Sequence, residues 1–533
     1  MRIGAGLAVA AAVFAGIFGA TGAQAATINV PGNNGKSIQD GVDLADPGDT
    51  VKIKAKKKSY FENVVVTTNR IKLVGVAKKG KKPVIDGTSV DGNTHDLSLE
   101  IIADNVTVRN LGSRHGTGNE CTGEGCLFER VAVSMSDHGS DCIQIEGNRG
   151  KVLKSNLIGC DSYGVEIDGN GGRVVGNAIR QTDSGCVDLD GDRMSVIGNT
   201  LHNCEDDEPI DLSGDDATIR NNVGSNSDYG YEIDGDGNLI RDNVGRNFEN
   251  DDNFDVSGDR NRLIGNRAVH SGGEGCFEVD GIANRIEGNR AQFCDGGYEI
   301  DGENMKVINN RLADNSSGDD GFGIECFDLD GINPAEACER AVVSRNRAAD
   351  AGDDDEGFNI SDSGTDGGMV IRGNVSADNN DGGFEINVDD ALIANNSSSR
   401  DGAEANEPGF EIDGDDNRIE ANEVFSSGDD GLNVGGVDNK IVGNVVRRSN
   451  IDGIAIDSGS TDAVVRANRA LGNFGDGIEN DGTDTDVVKN RASGNRRDCV
   501  NDGTIATKQG NKCADGSNFN QAGTVDRPAH RRG

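Results

Sequence analysis

The chain has 533 residues, of which 78 are glycine and none is tryptophan. It carries 92 Asp plus Glu against 52 Lys plus Arg, and this formal net charge of -40 predicts no binding to nucleic acid, because phosphate backbones would be repelled. Large apolar residues are too few for composition alone to decide whether the chain folds, so the pattern along the chain has to be used.

The first 25 residues are typical of a secretory signal peptide. Arg2 supplies a positive start, residues 7–18 form an apolar stretch, and Ala23-Gln24-Ala25 is a small-residue cleavage site. The apolar stretch is shorter than the roughly 20 residues that a membrane span needs, and no second run of that length follows. We therefore expect an exported protein, secreted, on the cell surface or periplasmic, with no membrane span in the mature chain.

The mature chain begins with a pattern that predicts a short helix. Ser37 is a good N-cap, and Ile38, Val42 and Ala45 would lie on one helical face. Residues 47–49, Pro-Gly-Asp, would end the helix. Such a helix could cover the open first coil of a repeat structure, whose unpaired edge would otherwise invite aggregation.

Internal repetition is the main signal in the sequence. An Asn at the end of a short apolar stretch recurs with steps of 21 to 23 residues, and after two longer steps the series resumes. Its members are Asn156, Asn177, Asn199, Asn222, Asn243, Asn266, Asn289, Asn310, Asn374, Asn396, Asn422, Asn444, Asn468 and Asn490. Between them lies a second motif of alternating apolar and acidic residues that ends in Gly, as in Val165-Glu166-Ile167-Asp168-Gly169.

The alternation predicts short strands with apolar side chains on one face and carboxylates on the other. One unit cannot bury its apolar face, but parallel stacking of units does so in a solenoid with coils about 4.8 Å apart. The predicted fold is therefore all-β, a right-handed parallel β-helix over residues 26–513, followed by a disordered tail at 514–533. The recurring Asn is expected at a turn, where it tolerates a left-handed backbone and its amide bonds to the Asn one coil away.

The 12 cysteines fall in register with the repeat. Cys142 and Cys160, Cys186 and Cys204, and Cys276 and Cys294 are each 18 positions apart. In the alignment of coils, the first member of each pair lies just before a strand and the second lies in the turn of the following coil. Stacking brings these sites within bridging reach, which predicts three disulfides. Cys121 with Cys126, Cys326 with Cys338, and Cys499 with Cys513 would complete six local pairs.

The start of the mature chain resembles the pectin-lyase-like right-handed β-helix proteins. The segments that carry the resemblance are 27–30, 37–39, 45–51, 60–64, 71–75 and 84–87, and the repeats extend it to about residue 500. The resemblance implies the fold and a carbohydrate-associated role, polysaccharide binding or processing. It does not specify a reaction, because the superfamily includes lyases, hydrolases, epimerases, tailspikes and proteins of no assigned activity.

Two columns of outward residues follow from the alignment of coils. The first is Gln144, Glu166, Asp188, Asp211, Glu232, Asp255, Glu278, Glu299, Asp328, Asn359, Glu385, Glu411, Asn433, Ala455 and Glu479. The second is Glu146, Asp168, Asp190, Ser213, Asp234, Ser257, Asp280, Asp301, Asp330, Ser361, Asn387 and Asp413. In enzymes similar to this chain the substrate lies along such a face.

The columns do not identify a catalytic residue. Neither contains Lys, Arg or His, whereas elimination across a uronic acid needs a base and neutralisation of the adjacent carboxylate. An inverting glycoside hydrolase needs two carboxyls about 6.5 to 9.5 Å apart, a criterion that nearly every coil meets. If the protein is an enzyme, a polysaccharide lyase or a glycoside hydrolase is expected.

Cation binding explains the columns better. Carboxylates about 5 Å apart repel by about 3 kcal/mol at an effective dielectric near 20, and a hard cation such as Ca²⁺, which accepts six to eight oxygens, would reverse that cost. The predicted metal ligands on adjacent coils are Glu166, Asp168, Asp188 and Asp190, and likewise Glu278, Asp280, Glu299 and Asp301. A solvated acidic face that only keeps the protein soluble remains the alternative, and a non-catalytic surface or matrix structural protein is the competing function.

Overall fold

A computed structural model describes residues 25–32, 36–87, 97–134, 140–272, 275–315, 320–327, 338, 340–351, 356–362, 368–402, 407–517 and 519. The predicted signal peptide lies outside these residues, apart from Ala25. The described chain is a right-handed parallel β-helix of about 19 turns with one short helix, as predicted. Each full coil contributes one strand to each of three parallel sheets, which we call sheets I, II and III in their order around a coil that begins with a strand of the acidic face.

Sheet I carries the predicted acidic columns. Its strands are Val64–Val66, Leu99–Ile101, Asn119–Cys121, Ile143–Ile145, Val165–Asp168, Val187–Asp190, Ile210–Ser213, Tyr231–Asp234, Phe254–Ser257, Phe277–Asp280, Tyr298–Asp301, Phe322–Cys326, Phe358–Asp362, Phe384–Asn387, Phe410–Asp413, Leu432–Val434, Ile454–Ile456, Asp476–Asn480 and Arg497–Asn501.

Sheet II follows sheet I in each coil. Its strands are Thr27–Val30, Thr50–Lys54, Lys72–Val76, Thr107–Arg109, Leu127–Glu129, Lys151–Leu153, Arg173–Val175, Ser195–Ile197, Thr218–Arg220, Leu239–Arg241, Arg262–Ile264, Arg285–Glu287, Lys306–Ile308, Val342–Ser344, Val370–Arg372, Leu392–Ala394, Arg418–Glu420, Lys440–Val442, Val464–Arg466, Thr485–Val488 and Ile505–Gln509.

Sheet III completes the coil. Its strands are Tyr60–Phe61, Val84–Asp86, Gly112–Arg114, Ala132–Ser134, Asn156–Cys160, Ala178–Thr182, Thr200–Cys204, Val223–Ser227, Val244–Phe248, Arg267–Ser271, Arg290–Gln292, Arg311–Ala313, Arg347–Ala349, Val375–Ala377, Ser397–Ser399, Glu423–Phe425, Val445–Arg447, Arg469–Leu471, Arg491–Ser493 and Lys512–Cys513.

The predicted helix is present as Ile38–Asp43. Ser37 is its N-cap and forms a capping box with Asp40, while Ile38 and Val42 are buried. The helix packs on the strands of the first coils, and Glu62 accepts hydrogen bonds from the backbone N–H groups of Ile38 and Gln39 at 2.9 and 3.0 Å. The first coil is therefore covered, as expected.

Apolar side chains from all three sheets fill the interior in stacked rows. At the first position of the sheet I strands, eight aromatic rings form one column with centroids 4.4 to 5.0 Å apart. Its members are Tyr231, Phe254, Phe277, Tyr298, Phe322, Phe358, Phe384 and Phe410. These rings are buried, so the alternation along each strand leaves the carboxylates outside.

The recurring Asn forms a buried ladder at the corner between sheets II and III. In most coils the side-chain oxygen of each Asn accepts from the backbone N–H and the side chain of its neighbour one coil earlier, which confirms the expected bonding between coils. Two details of the prediction are wrong. Ser155 holds the position assigned to Asn156, whereas Asn346 fits the prediction as the member between the two longer steps, 36 residues after Asn310 and 28 before Asn374. The left-handed backbone belongs to the residue before the Asn, for example Asn221 before Asn222.

All 12 cysteines are paired in the structure, in six bridges. The bridges include the three that the 18-residue spacing predicts, with Cα atoms 5.3 to 5.6 Å apart. Past Cys513, Ser517 accepts a hydrogen bond from the N–H of Cys499, and Phe519 is buried. These first residues of the predicted tail pack on the last coil.

Candidate functional site: an acid face on sheet I

The outward side chains of sheet I form what we call the acid face. Strand pairing places the first predicted column in register from Gln144 to Glu299 and again from Asn359 to Glu479. The second column is in register from Asp168 to Asp301 and from Ser361 to Asp413. Glu146, predicted to start it, follows the strand Ile143–Ile145 directly.

The prediction is wrong at one coil. Gly323 pairs with Glu299, and Glu325 pairs with Asp301, so they hold the positions assigned to Asp328 and Asp330. Those two residues lie outside the described part of the chain. The error arises because Phe-Gly-Ile-Glu at 322–325 and Phe-Asp-Leu-Asp at 327–330 both fit the alternation, and only pairing with the neighbouring coils chooses between them.

Both predicted sets of metal ligands lie in register on adjacent coils. Glu166 pairs with Asp188 and Asp168 with Asp190. In the second set Glu278 pairs with Glu299 and Asp280 with Asp301. Paired strands lie about 4.8 Å apart, so backbone stacking alone brings these carboxylates close. Metal binding by either set stays a prediction.

Burial and mutual repulsion raise the pKa of many of these carboxyls. Partial burial, with a hydrogen bond that protonated Glu166 donates to Asp141, raises the pKa of Glu166 to about 8. Partial burial, with the charge of Asp168, raises the pKa of Asp188 to about 6, and burial also raises the pKa of Asp301 to about 6. The acid face therefore keeps some protons near neutral pH, because full ionisation would place like charges side by side.

A further row of acids, which the sequence alignment missed, lies just before the sheet I strands. Asp141 hydrogen-bonds Glu166, and Asp252 hydrogen-bonds Glu278. Asp252 is 2% exposed, its Oδ1 has no hydrogen-bond partner, and burial raises its pKa to about 9. The sequence signal that could have found this row is an acid two or three positions before most of the strand motifs.

At two places in the described residues, three carboxylates lie close enough together to hold one metal ion. Asp452, Asp476 and Glu479 have oxygens within 4.8 Å of one another, and so do Glu479, Asp481 and Asp502. Neither predicted set reaches this spacing. Arg497 donates from Nε to Asp476 at 2.7 Å, so a protein cation already offsets part of the first cluster.

The histidines of the described residues lie away from the acid face. His115 contacts Asp86 at 3.2 Å, His202 contacts Ser225 at 3.0 Å, and His270 lies in a sheet III strand. Among these residues, the acid face offers carboxylates, amides and hydroxyls to a ligand but no imidazole. No helix in the described ranges is both long and apolar enough to span a membrane.

Comparison with known proteins finds one family and several similar folds. Residues 143–320 match the family model described as periplasmic copper-binding protein (NosD), which covers part of the repeat region. No curated protein matches the chain.

Among solved structures, the PL6 family alginate lyase AlyGC is 11% identical, covers 92% of this chain and 100% of its own, and has a TM-score of 0.34. The DFA-IIIase from Arthrobacter chlorophenolicus A6 is 11% identical, covers 62% of this chain and 79% of its own, and has a TM-score of 0.30. The periplasmic alginate epimerase AlgG is 10% identical over 91% of this chain and 83% of its own, with a TM-score of 0.22. Similarity at this level carries no argument about activity. Over its central coils the chain is thus similar to the NosD family.

Proposed function

We propose that the protein is an exported, cation-binding β-helix with a role in polysaccharide binding or processing. The observation that carries the proposal is the stacking of carboxylates in register on consecutive coils of the acid face. Burial and repulsion impose a cost on several of these groups, seen in the raised pKa values of Glu166 and Asp188. A cation bound between coils would offset that cost.

Export is supported by the predicted signal peptide and by the six disulfides. Bridges of this number persist in oxidising compartments and are rare in the cytosol. The periplasm, the cell surface and the medium all meet this condition.

Calcium or a similar hard cation fits the acid face better than copper does. The NosD family model is described as copper-binding, but copper prefers imidazole, thiolate or thioether ligands. In the described residues no cysteine is free, and Met194, Met305 and Met369 are buried in the core. Carboxylate oxygens are the ligands that Ca²⁺ prefers.

The polysaccharide role is supported by the fold resemblance and by the shape of the acid face. Consecutive coils offer a linear polymer a continuous surface, and a divalent cation could bridge protein carboxylates to those of the polymer. The absence of Lys, Arg and His from both columns favours binding without catalysis, which is the surface or matrix alternative.

Thermal unfolding tests the cation site. Binding to the native state alone stabilises it by about 2.7 kcal/mol at a ligand concentration a hundred times Kd. We expect millimolar Ca²⁺ to raise the melting temperature well beyond the increase caused by NaCl of the same ionic strength. The double variant Glu166→Gln with Asp188→Asn should reduce the difference between the two increases. Asp216→Asn, on an exposed turn, is the matched control and should leave the difference between the two salts unchanged.

Equal shifts with both salts would show simple screening and contradict the metal site. For the polymer, the purified protein should be incubated with pectate, alginate and neutral glycans. Unsaturated products would indicate a lyase, new reducing ends a hydrolase, and binding without products the non-catalytic alternative.

A further inference from the structure

A column of arginines crosses the outer face of sheet III. Strand pairing places Arg267, Arg290, Arg311 and Arg347 in register on four consecutive coils, and all four are exposed. We call them the basic column. The first three form no ion pair or side-chain hydrogen bond within the described structure, although the chain has a net charge of -40. Arg347, at the end, is near Asp350 and Asp378.

This arrangement leaves three exposed guanidinium groups available to bind an anion. Guanidinium groups on adjacent coils repel one another as the carboxylates of sheet I do, and no carboxylate of the described chain neutralises the first three. On sheet II of the same coils, by contrast, Arg285 is paired with Glu287 at 2.8 Å. Arginine presents a planar fork that binds carboxylate or phosphate through two hydrogen bonds, so the column is suited to a ligand with repeated anionic groups.

An exposed aromatic pair lies at the ends of two of these strands, His270 within Arg267–Ser271 and Phe293 directly after Arg290–Gln292. The rings of His270 and Phe293, one coil apart, stack with centroids 5.0 Å apart, and Phe293 is 39% exposed. Both residues have left-handed backbones, with φ of 56° and 59°, a conformation that bulky side chains rarely adopt. The disulfide between Cys276 and Cys294 holds the corner next to Phe293.

The small area of the basic column favours a linear polymer over a folded protein as its ligand. A stable protein interface needs about 800 Å² on each partner, far more than a single row of side chains offers. A linear polyanion needs less contact, because each neutralised charge releases condensed counterions. The exposed rings favour a sugar polymer over a bare phosphate chain, because a ring face packs against the apolar face of a sugar.

We propose that the outer face of sheet III binds a linear acidic polysaccharide, with the basic column holding its carboxylates and the His270–Phe293 pair contacting its sugar rings. The site lies on a different sheet from the acid face. It depends on the proposed function only for the carbohydrate class of the ligand, and it needs no metal ion.

Polygalacturonate binding in EDTA tests the proposal, with neutral dextran and polyphosphate as comparison polymers. We expect Arg290→Ala with Arg311→Ala to weaken binding about tenfold. Arg262→Ala with Arg285→Ala removes the same charge from sheet II, on the neighbouring face, and should change the affinity less than about twofold. Phe293→Ala should weaken binding about threefold with no change of charge. Arg290→Lys with Arg311→Lys, which keeps the charge but not the fork, should fall between wild type and the alanine pair.

Several results would overturn the proposal. Equal losses in the two alanine pairs would indicate non-specific attraction, and tighter binding of polyphosphate would refute the sugar assignment. No polygalacturonate binding at all would refute the site. Binding that requires Ca²⁺ and is lost in Glu166→Gln with Asp188→Asn would assign the polymer to the acid face, overturning this site while supporting the proposed function. Unchanged melting temperatures of the variants exclude misfolding as the cause of a loss.

Discussion

The side-chain Oδ1 of Asn289 accepts two hydrogen bonds from Asn266, one coil earlier: one from the backbone N–H at 2.8 Å and one from Nδ2 at 3.1 Å. The Nδ2 of Asn266 also donates to the carbonyl of Ile240 at 2.9 Å. The side chain of Asn266 thus links its own coil to the coils before and after it. It does so at a fully buried corner, where water cannot replace its hydrogen bonds.

We expect Asn266→Ala to destabilise the protein by about 3 kcal/mol, because it leaves the N–H of Asn243 buried without a partner and removes the side-chain donor to the carbonyl of Ile240. Asn156→Ala is the matched control. Asn156 lies one position beyond the ladder and should change stability by less than about 0.5 kcal/mol. Urea unfolding measures both, and equal losses would show that the ladder is not the cause.

The turn after each sheet I strand brings the backbones of neighbouring coils close together, and we expect glycine to be needed there. Gly191 has φ of 148°, and a Cβ there would lie 2.9 Å from the carbonyl carbon of Gly169. Gly198 has φ of 66° with no atom within 4 Å of such a Cβ. Gly198→Ala should therefore cost about 1 kcal/mol and Gly191→Ala clearly more, measured by thermal unfolding. The reverse order would contradict this account of the turn.

Loop length predicts different contributions from two of the disulfides. Cys186–Cys204 spans 18 residues and Cys121–Cys126 spans 5. Loop-closure entropy then predicts that the free energy of unfolding falls by about 3 kcal/mol when both cysteines of the longer bridge become Ala. For the shorter bridge the predicted fall is about 1 kcal/mol smaller. Unfolding of the two double variants gives the difference. Non-reducing peptide mapping that found free thiols at these positions would refute the pairing itself.

The acid face predicts that stability in EDTA falls as the pH rises. Burial and neighbouring charges raise the pKa of Asp188 to about 6 and those of Asp211 and Asp255 to about 7, from 3.8. Between pH 3.8 and these raised values, the native state holds more protons than the unfolded chain. The free energy of unfolding therefore decreases as the pH rises. The melting temperature should be higher at pH 5 than at pH 8.

Variants assign that pH dependence to the acid face. Asp188→Asn with Asp211→Asn should flatten it, whereas Asp216→Asn on the exposed turn should leave its slope unchanged. Saturating Ca²⁺ should also reduce the drop at pH 8, because the cation replaces the protons that the face has lost. A melting temperature that rises from pH 5 to pH 8 would contradict the linkage.

The repeat, the inward rows and most of the two columns could be predicted because they depend on local pattern. Alternation decides which side chains of Val165–Asp168 point inward, and a spacing near one coil places Cys186 next to Cys204. The acid residues Glu166 and Asp188 come into register for the same reason. These features follow from the sequence wherever consecutive coils have nearly equal length.

Tertiary structure decided the features that depend on unequal coils or on side chains from different coils. The step from Asn310 to Asn346 spans 36 residues, so two segments fit the strand motif, and pairing with the next coil selects Phe322–Cys326. Stacking also brings Asp252 to Glu278 and aligns Arg290 with Arg311. A period-two pattern determines which way a side chain points, but its neighbours one coil away are determined by the register of the stacked strands.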